Sequence, residues 1–322
     1  MNNPTTIGID VGGTSTQAVM RSADGDLLQS SRVATSTPGG EAVLGAVLQV
    51  VREFDLSHVT GVGVGIPGQV DSTSGTVRLA VNLGIDQNPF PLGDRISHMI
   101  GRPVLVENDV RAAAVGVYET VRAAGEAVTD MALISLGTGI AAGVVIEGSL
   151  RRGSTGMAGE IGHVVVEPDG RLCRCGQRGC LETVAAGPAI SAAWPHGNPD
   201  RAASSLFGAA AQGDPKAVEE AQRITKHLAI AVHWLAAAYD VTTIYLGGGV
   251  ASAGPPFLDA VRAALVRAAG ASNLAAQTLA PSRIRLAPAG DHHGALGAAS
   301  LAATQFVLAL ATEKNPTMGG DK

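Results

Sequence analysis

"GIDVGGTSTQ", residues 8–17, is the stretch on which the fold turns. An apolar strand runs up to Asp10, Gly12 and Gly13 reverse the chain, and a second strand opens at once with Ser15, Thr16 and Gln17. A dinucleotide fingerprint would read G-x-G-x-x-G and pass from its glycines into a helix. Neither condition holds, so a Rossmann-type fold is excluded. The device then returns: "SLGTGIAAG", residues 135–143, again reads strand, glycine turn, strand.

The surroundings of the two hairpins share one grammar. After the first come a "DGD" turn at 24–26, a third strand "LLQSSRVAT" at 27–35 and a helix in 39–54, where Val43, Leu44, Val47, Leu48, Val51 and Phe54 recur at helical spacing. Apolar strands follow in "VTGVGVGIPG" (59–68) and "PVLVEN" (103–108). The second region restarts at "DMALISLGTG" (130–139) and continues through "IAAGVVIEG" (140–148), "TTIYLGGGV" (242–250) and "RIRLAP" (283–288). The expectation is an α/β protein built from a duplicated βββαβαβα unit, two domains around a central cleft. In it the two glycine turns clasp a polyphosphate through backbone N–H groups.

Composition narrows the function classes. A chain of 322 residues, 46% hydrophobic, buries one or two cores without disulfides. Net charge is −5 and the arginines are scattered, so a nucleic-acid partner is not expected. No stretch of about 18 apolar residues reads as a membrane span, and the start lacks the marks of a signal peptide. A cytoplasmic protein is expected. With 42 glycines and 3% aromatics, tight turns holding backbone near a ligand are expected too.

Three groups of residues carry chemistry. Asp10, Gly12, Gly13 and Thr14 read as a phosphate turn with Asp10 near Mg²⁺, or as an ordinary Gly-Gly hairpin; the echo in Gly137, Thr138 and Gly139 favours the phosphate reading. Glu107, Asn108 and Asp109 form a polar strand end, where ligands of open α/β sheets gather. Asp109 can take a proton from an alcohol, or cap the Ala-rich helix that follows. Finally, all three cysteines, Cys173, Cys175 and Cys180, lie in one short segment, with His163 upstream. Together they make a Cys₃His set with four protein ligands, hence a closed, structural zinc site. A redox pair or three buried thiols is the other reading, against which Arg174, Gln177 and Arg178 between them weigh. Glu160 and Glu182 flank the segment; zinc would hold both rigidly enough to accept from polyol hydroxyls, and otherwise they are solvated surface carboxylates. His58, His98, His196, His227 and His233 read as packing or surface, and "DHHGALGAA" (291–299) as a turn into the last helix.

Taken together, "GIDVGGTSTQ", "GVGIPGQVDSTSGTV", "VENDVRAAA", "SLGTGIAAGVV" and "GEIGHVVVEPDGRLCRCGQRGCLE" resemble the ROK family of sugar kinases and sugar-responsive repressors, from about Thr6 to about Ala302. The resemblance implies the actin-like ATPase (ribonuclease H-like) fold. It implies a small N-terminal domain over 1–117 completed by a helix around 294–312, a large domain over 118–293, and a disordered tail over 313–322. Asp10, Gly12, Gly13 and Thr14 would form one phosphate turn and Gly137, Thr138 and Gly139 the other, with Gly247, Gly248 and Gly249 beside the adenosine. Asp109 would be the base for the sugar 6-hydroxyl. Gly68, Asn82, Asn108, Asp109, Glu160, His163 and Glu182 would contact the sugar, and His163, Cys173, Cys175 and Cys180 would bind zinc, His163 serving both roles through its two nitrogens.

The implied activity is ATP- and Mg²⁺-dependent phosphorylation of the 6-hydroxyl of an aldohexose, N-acetyl-D-glucosamine or D-glucose, by a homodimer, with closure of the domains excluding water. A kinase strict for glucose, one using polyphosphate, and a non-catalytic regulator are the competing readings; the regulator is disfavoured because no helix-turn-helix precedes the first strand. Two departures stand out. Ser15 occupies a position where many members carry Lys, and Ile85 follows "NLG" where many glucokinases carry an aromatic. A missing ring at Ile85 would leave room beside carbon 2, tilting the expectation toward N-acetylglucosamine.

Overall fold

The computed structural model describes residues 4–196, 198–290 and 292–314. The chain divides into two compact units. Unit 1 takes the chain up to Ala123, the segment Arg152–Met157 and the chain from Gly290 on; unit 2 takes Ala124–Arg151 and Ala158–Ala289.

Unit 1 runs β1 (Thr5–Val11), β2 (Ser15–Ser22), β3 (Leu27–Ala34), α1 (Gly40–Val51), β4 (Val59–Ile66), a small hairpin of β5 (Gln69–Asp71) and β6 (Thr76–Arg78), α2 (Leu92–Ile100), β7 (Val104–Asn108) and α3 (Asp109–Ala123). Its main sheet has the order β3-β2-β1-β4-β7, antiparallel through the first hairpins and parallel from β1 to β7. Alternation places Ile7, Ile9 and Val11 on one face, fully buried in a core with Val43, Leu44, Val47 and Val51 of α1.

Unit 2 repeats the plan with β8 (Met131–Leu136), β9 (Ile140–Ile146), β10 (Ser149–Leu150), α4 (Glu182–Ala185), α5 (Gly187–Ala193), α6 (Ala202–Ala211), α7 (Pro215–Tyr239), β11 (Thr243–Gly247), α8 (Pro255–Ala269), α9 (Asn273–Thr278) and β12 (Ile284–Leu286). The sheet order β10-β9-β8-β11-β12 matches that of unit 1 strand for strand. The long α7 starts where its sequence says it should: Asp214 accepts from the Ala217 N–H at 2.9 Å and Pro215 takes the first helical position. Among the described residues no helix is long and apolar enough to cross a membrane.

The last helix, α10 (His293–Lys314), belongs to unit 1 and lies against β1, β4 and α3. It can approach so closely because of glycines. A Cβ on Gly8 would lie 1.8 Å from the Ala295 carbonyl oxygen, and one on Gly63 1.9 Å from that of Ala298. Against α3 the same holds for Gly116, 1.9 Å from the His293 oxygen, and Gly297, 1.8 Å from that of Ala112. Part of the glycine excess that reads in the sequence as turns near a ligand is thus spent on helix packing.

The boundaries differ from those expected. The first unit does not stop at Val117, because α3 continues with Val117, Tyr118 and Val121 buried, and the division falls after Ala123. Arg152–Met157 returns to unit 1 without any compositional signal. Glu313 and Lys314, expected in a disordered tail, are the last residues of α10, and 315–322 lie outside the described residues.

Candidate active site

In unit 1 a single register row crosses all five strands: Arg32 on β3 pairs with Gln17 on β2, Gln17 with Asp10 on β1, Asp10 with Gly65 on β4, and Gly65 with Glu107 on β7. The side chains join up where they can. Arg32 donates to Gln17 Oε1 at 3.0 Å, and the Gln17 amide contacts His292 at the foot of α10. Burial raises the Asp10 carboxyl to about 7; the neighbouring Asp109 charge adds to the rise and Arg32 opposes it. The N-terminal end of α10 abuts Asp10, and a Cβ on Gly294 would come within 2.5 Å of its carboxyl carbon. Above Asp10 the chain reverses tightly, the Gly12 N–H reaching the Ser15 carbonyl at 2.9 Å, with Gly13 and Thr14 exposed.

At the far end of the row, the side chain that caps α3 is the neighbour of Asp109. Asn108 caps α3: its Oδ1 accepts from the N–H groups of Val110 (3.1 Å) and Arg111 (3.2 Å). Its Nδ2 donates to the Gly68 carbonyl at 3.2 Å, so the "GIPG" loop and the start of α3 are fastened together. Gly68 has φ 103° and packs on Ala80, two residues before Asn82, which is exposed in a short 3-10 turn, Val81–Leu83.

Glu107 is fully buried, yet both oxygens are satisfied: Oε1 by the Asn108 N–H and Arg111 Nε, each at 2.8 Å, Oε2 by Arg152. Arg111 also donates to the Gly156 carbonyl. Sequence reading placed Glu107 in the polar strand end but missed Arg111, Arg152, Gln17 and Arg32. Arg111 was findable as the i+4 partner of Glu107 on a helix start; Arg152, 45 residues away, was not.

In unit 2 the second turn and the polar segment form one assembly. The Gly137 N–H reaches the Gly139 carbonyl at 2.9 Å, closing a turn in which Thr138 is exposed. Glu182 Oε2 accepts from the Ile140 N–H at 3.2 Å, directly after the turn. The segment carrying Glu160 and His163 lies backbone to backbone on β9: the Ala142 N–H donates to Gly159 at 2.7 Å, and a Cβ on Gly159 or Gly162 would lie about 2 Å from a β9 carbonyl oxygen. Gly247, Gly248 and Gly249 close β11 alongside, Gly248 with φ 82° and pressed on the Leu136 backbone.

His163, Cys173, Cys175 and Cys180 converge, their ligand atoms all within 4.8 Å of one another. A tetrahedral ion with sulfurs at about 2.3 Å and a nitrogen at about 2.05 Å separates two sulfurs by about 3.8 Å and sulfur from nitrogen by about 3.6 Å. Cys175 and Cys180 Sγ lie 3.6 Å apart, as do Cys173 Sγ and His163 Nδ1, so the set fits such an ion. Two of the thiols, Cys173 and Cys180, are buried and Cys175 is exposed. Burial first, then the adjoining thiols, push Cys180 up to about 12, whereas at Cys175 burial is outweighed by hydrogen bonds from Gln177 and its neighbours, bringing it down to about 7.

A profile of the ROK family matches residues 6–305. The chain belongs to that family. A glucokinase of Streptomyces coelicolor is 34% identical over 276 residues, covering 80% of this chain and 86% of the relative. An N-acetylmannosamine kinase of Escherichia coli is 33% identical, covering 76% and 83%. Among solved structures, a ROK glucokinase of Streptomyces griseus in complex with glucose and AMPPNP is 34% identical with TM-score 0.74, covering 93% of this chain and 99% of that one. The duplicated sheets are thus those of the actin-like ATPase fold.

Ile85 does not stand where the carbon-2 expectation needs it. The residue is 4% exposed and belongs to the buried core of unit 1, the cluster that also holds Val77 and Leu83. A residue turned into the core does not set the room beside a sugar, so the tilt toward a bulky carbon-2 group loses its basis.

Proposed function

We infer that this chain is an ATP-dependent sugar kinase that transfers the γ-phosphoryl group to the 6-hydroxyl of an aldohexose. The observation that carries this reading lies in unit 1: Asp109 lies beside Gly65, the register partner of Asp10, and opens a helix whose cap is Asn108. In this reading Asp109 accepts the proton as the hydroxyl attacks. Gly12, Gly13 and Thr14, and likewise Gly137, Thr138 and Gly139, are proposed to hold phosphate through backbone N–H groups, with the adenosine beside Gly247–Gly249. Mg²⁺, bound with ATP, neutralises charge on the transferring phosphoryl group. Asp10 would hold it, a role that suits a carboxylate crowded by a second one.

Gly68, Asn82, Asn108, Glu160, His163 and Glu182 are proposed to orient the sugar. We assign zinc to the Cys₃His set as a structural ion that fixes the Glu160–Glu182 segment, His163 binding through Nδ1 and offering Nε2 to the sugar. D-glucose is the favoured substrate, on the strength of the relatives named glucokinase, with N-acetylhexosamines second. A homodimer and a cytoplasmic setting, where thiols stay reduced for zinc, complete the reading; light scattering tests the dimer.

ADP release across glucose, N-acetylglucosamine, N-acetylmannosamine and mannose, with ATP and polyphosphate as rival donors, tests the whole. Glucose with ATP is expected to give the highest kcat/KM. Failure to phosphorylate any aldohexose with either donor overturns the assignment.

A further inference from the structure

We propose that Glu107, Arg111 and Arg152 are positioning residues that strap the segment Arg152–Met157 to the strand end carrying Asp109, and thereby register the sugar against the base. This rests on the sugar-kinase reading. The strap is part of unit 1, yet in the chain it follows β10 and leads within three residues into Glu160. It is fastened at both ends: Arg152 to Glu107 Oε2, and the Gly156 carbonyl to Arg111. Gly156, at φ 70°, packs against the Val70 carbonyl, so the backbone there fits glycine closely.

The same carboxylate holds the other side. Glu107 Oε1 takes the Asn108 N–H, and the Asn108 side chain is spent on the α3 cap and the Gly68 carbonyl. Asp109 therefore follows a residue whose backbone and side chain are both fixed. A buried ion cluster is a poor source of net stability, because desolvation offsets its attraction. What such a cluster does supply is definite geometry, and phosphoryl transfer is sensitive to shifts well under 1 Å. Arg152, with 35% of its side chain exposed, is the member that can be changed without opening the core.

The test compares Arg152→Met and Arg152→Lys with the unaltered chain. Arg152→Met is expected to raise the sugar KM about tenfold and to increase ADP formed per sugar phosphate, as water replaces a misplaced hydroxyl, with the ATP KM within about twofold. Arg152→Lys, which keeps a cation for Glu107, recovers most of the sugar KM. Independently of activity, amide exchange at 152–157 and at the start of α3 rises in Arg152→Met and not elsewhere. A sugar KM unchanged in Arg152→Met, or sugar and ATP KM rising in step, overturns the strap while leaving the kinase intact. An unaltered chain that phosphorylates no sugar sinks the kinase reading instead, and unchanged exchange at 152–157 then sinks the strap as well.

Discussion

The two units share a strand order and differ in what they put on it. At the register level just below each glycine turn, unit 1 carries Arg32, Gln17, Asp10, Gly65 and Glu107. The corresponding level in unit 2 carries Ala141, Ser135 and Gly247. Two residues further down the relation inverts. Unit 1 has Gly8 and Gly63, flattened to admit the α10 backbone, where unit 2 has Leu133 and Tyr245, both buried. Tyr245 reaches Glu126 at 3.2 Å, and burial raises its hydroxyl. Duplication preserved the scaffold and divided the work: charge sits at the turn of unit 1, and small residues at the turn of unit 2. The expectation is that changes to Asp10 and Asp109 of unit 1 act on turnover, and changes at the glycine turns and the Cys₃His segment of unit 2 on binding.

Asp109→Asn puts the most weight on that division. It should cut kcat by at least about a hundredfold, in line with loss of a general base. Because it also removes one of two mutually repelling carboxylates, thermal unfolding should show no loss of Tm. Near-normal kcat would break the division at its centre.

Metal removal probes the other side. Purified protein should hold one zinc per chain, and Cys175→Ser or chelation should raise the sugar KM by about 10- to 100-fold, as loss of site order does. Full zinc content and unaltered sugar affinity in Cys175→Ser would mean the Cys₃His set orders nothing.

A smaller effect belongs to Asp10. Its carboxyl lies above the unfolded value of 3.8, at about 7, so the folded chain keeps a proton that the unfolded chain has released. The resulting stability is complete below the unfolded value and disappears as pH climbs through the folded one. Without nucleotide or Mg²⁺, Tm should fall by about 5 °C between pH 5 and pH 8, and Asp10→Asn should flatten that slope. A slope unchanged in the variant would place the titration elsewhere.

Gly247→Ala is the mildest case. A Cβ there would meet Leu133 at 3.1 Å and Ala287 at 3.6 Å, a tolerable crowding. The ATP KM should rise about three- to tenfold with kcat within about twofold. A kcat loss without a KM change would show that unit 2 shares in the chemistry.

Much of this was legible in the sequence, for physical reasons. Hairpin chemistry at Gly12–Gly13 and Gly137–Gly139 is local, and β4 and the start of β7 announce themselves as valine-rich runs. The converging set could be read from the cysteine spacing because Cys173, Cys175 and Cys180 lie close together along the chain. Three things stayed hidden because they depend on partners distant in sequence: Arg152 on Glu107, His292 on Gln17, and the α10 backbone on Gly8. Ile85 was misread for a related reason, since which way a loop side chain turns depends on the core beneath it. The cap of α3 lay one residue from the candidate named in the sequence, and only its hydrogen bonds to Val110 and Arg111 separate the two.

The position of α10 also sets an order of assembly. As the chain leaves the ribosome β1 emerges early, but the helix that covers Gly8 and Gly63 starts at His293. All of unit 2 has therefore been made before unit 1 can be finished, and the apolar sheet face around β1 and β4 waits uncovered for that whole interval. Such long-range closure is slow and leaves surface open to misassociation. β1 and β4 are therefore sealed only once α10 has been made.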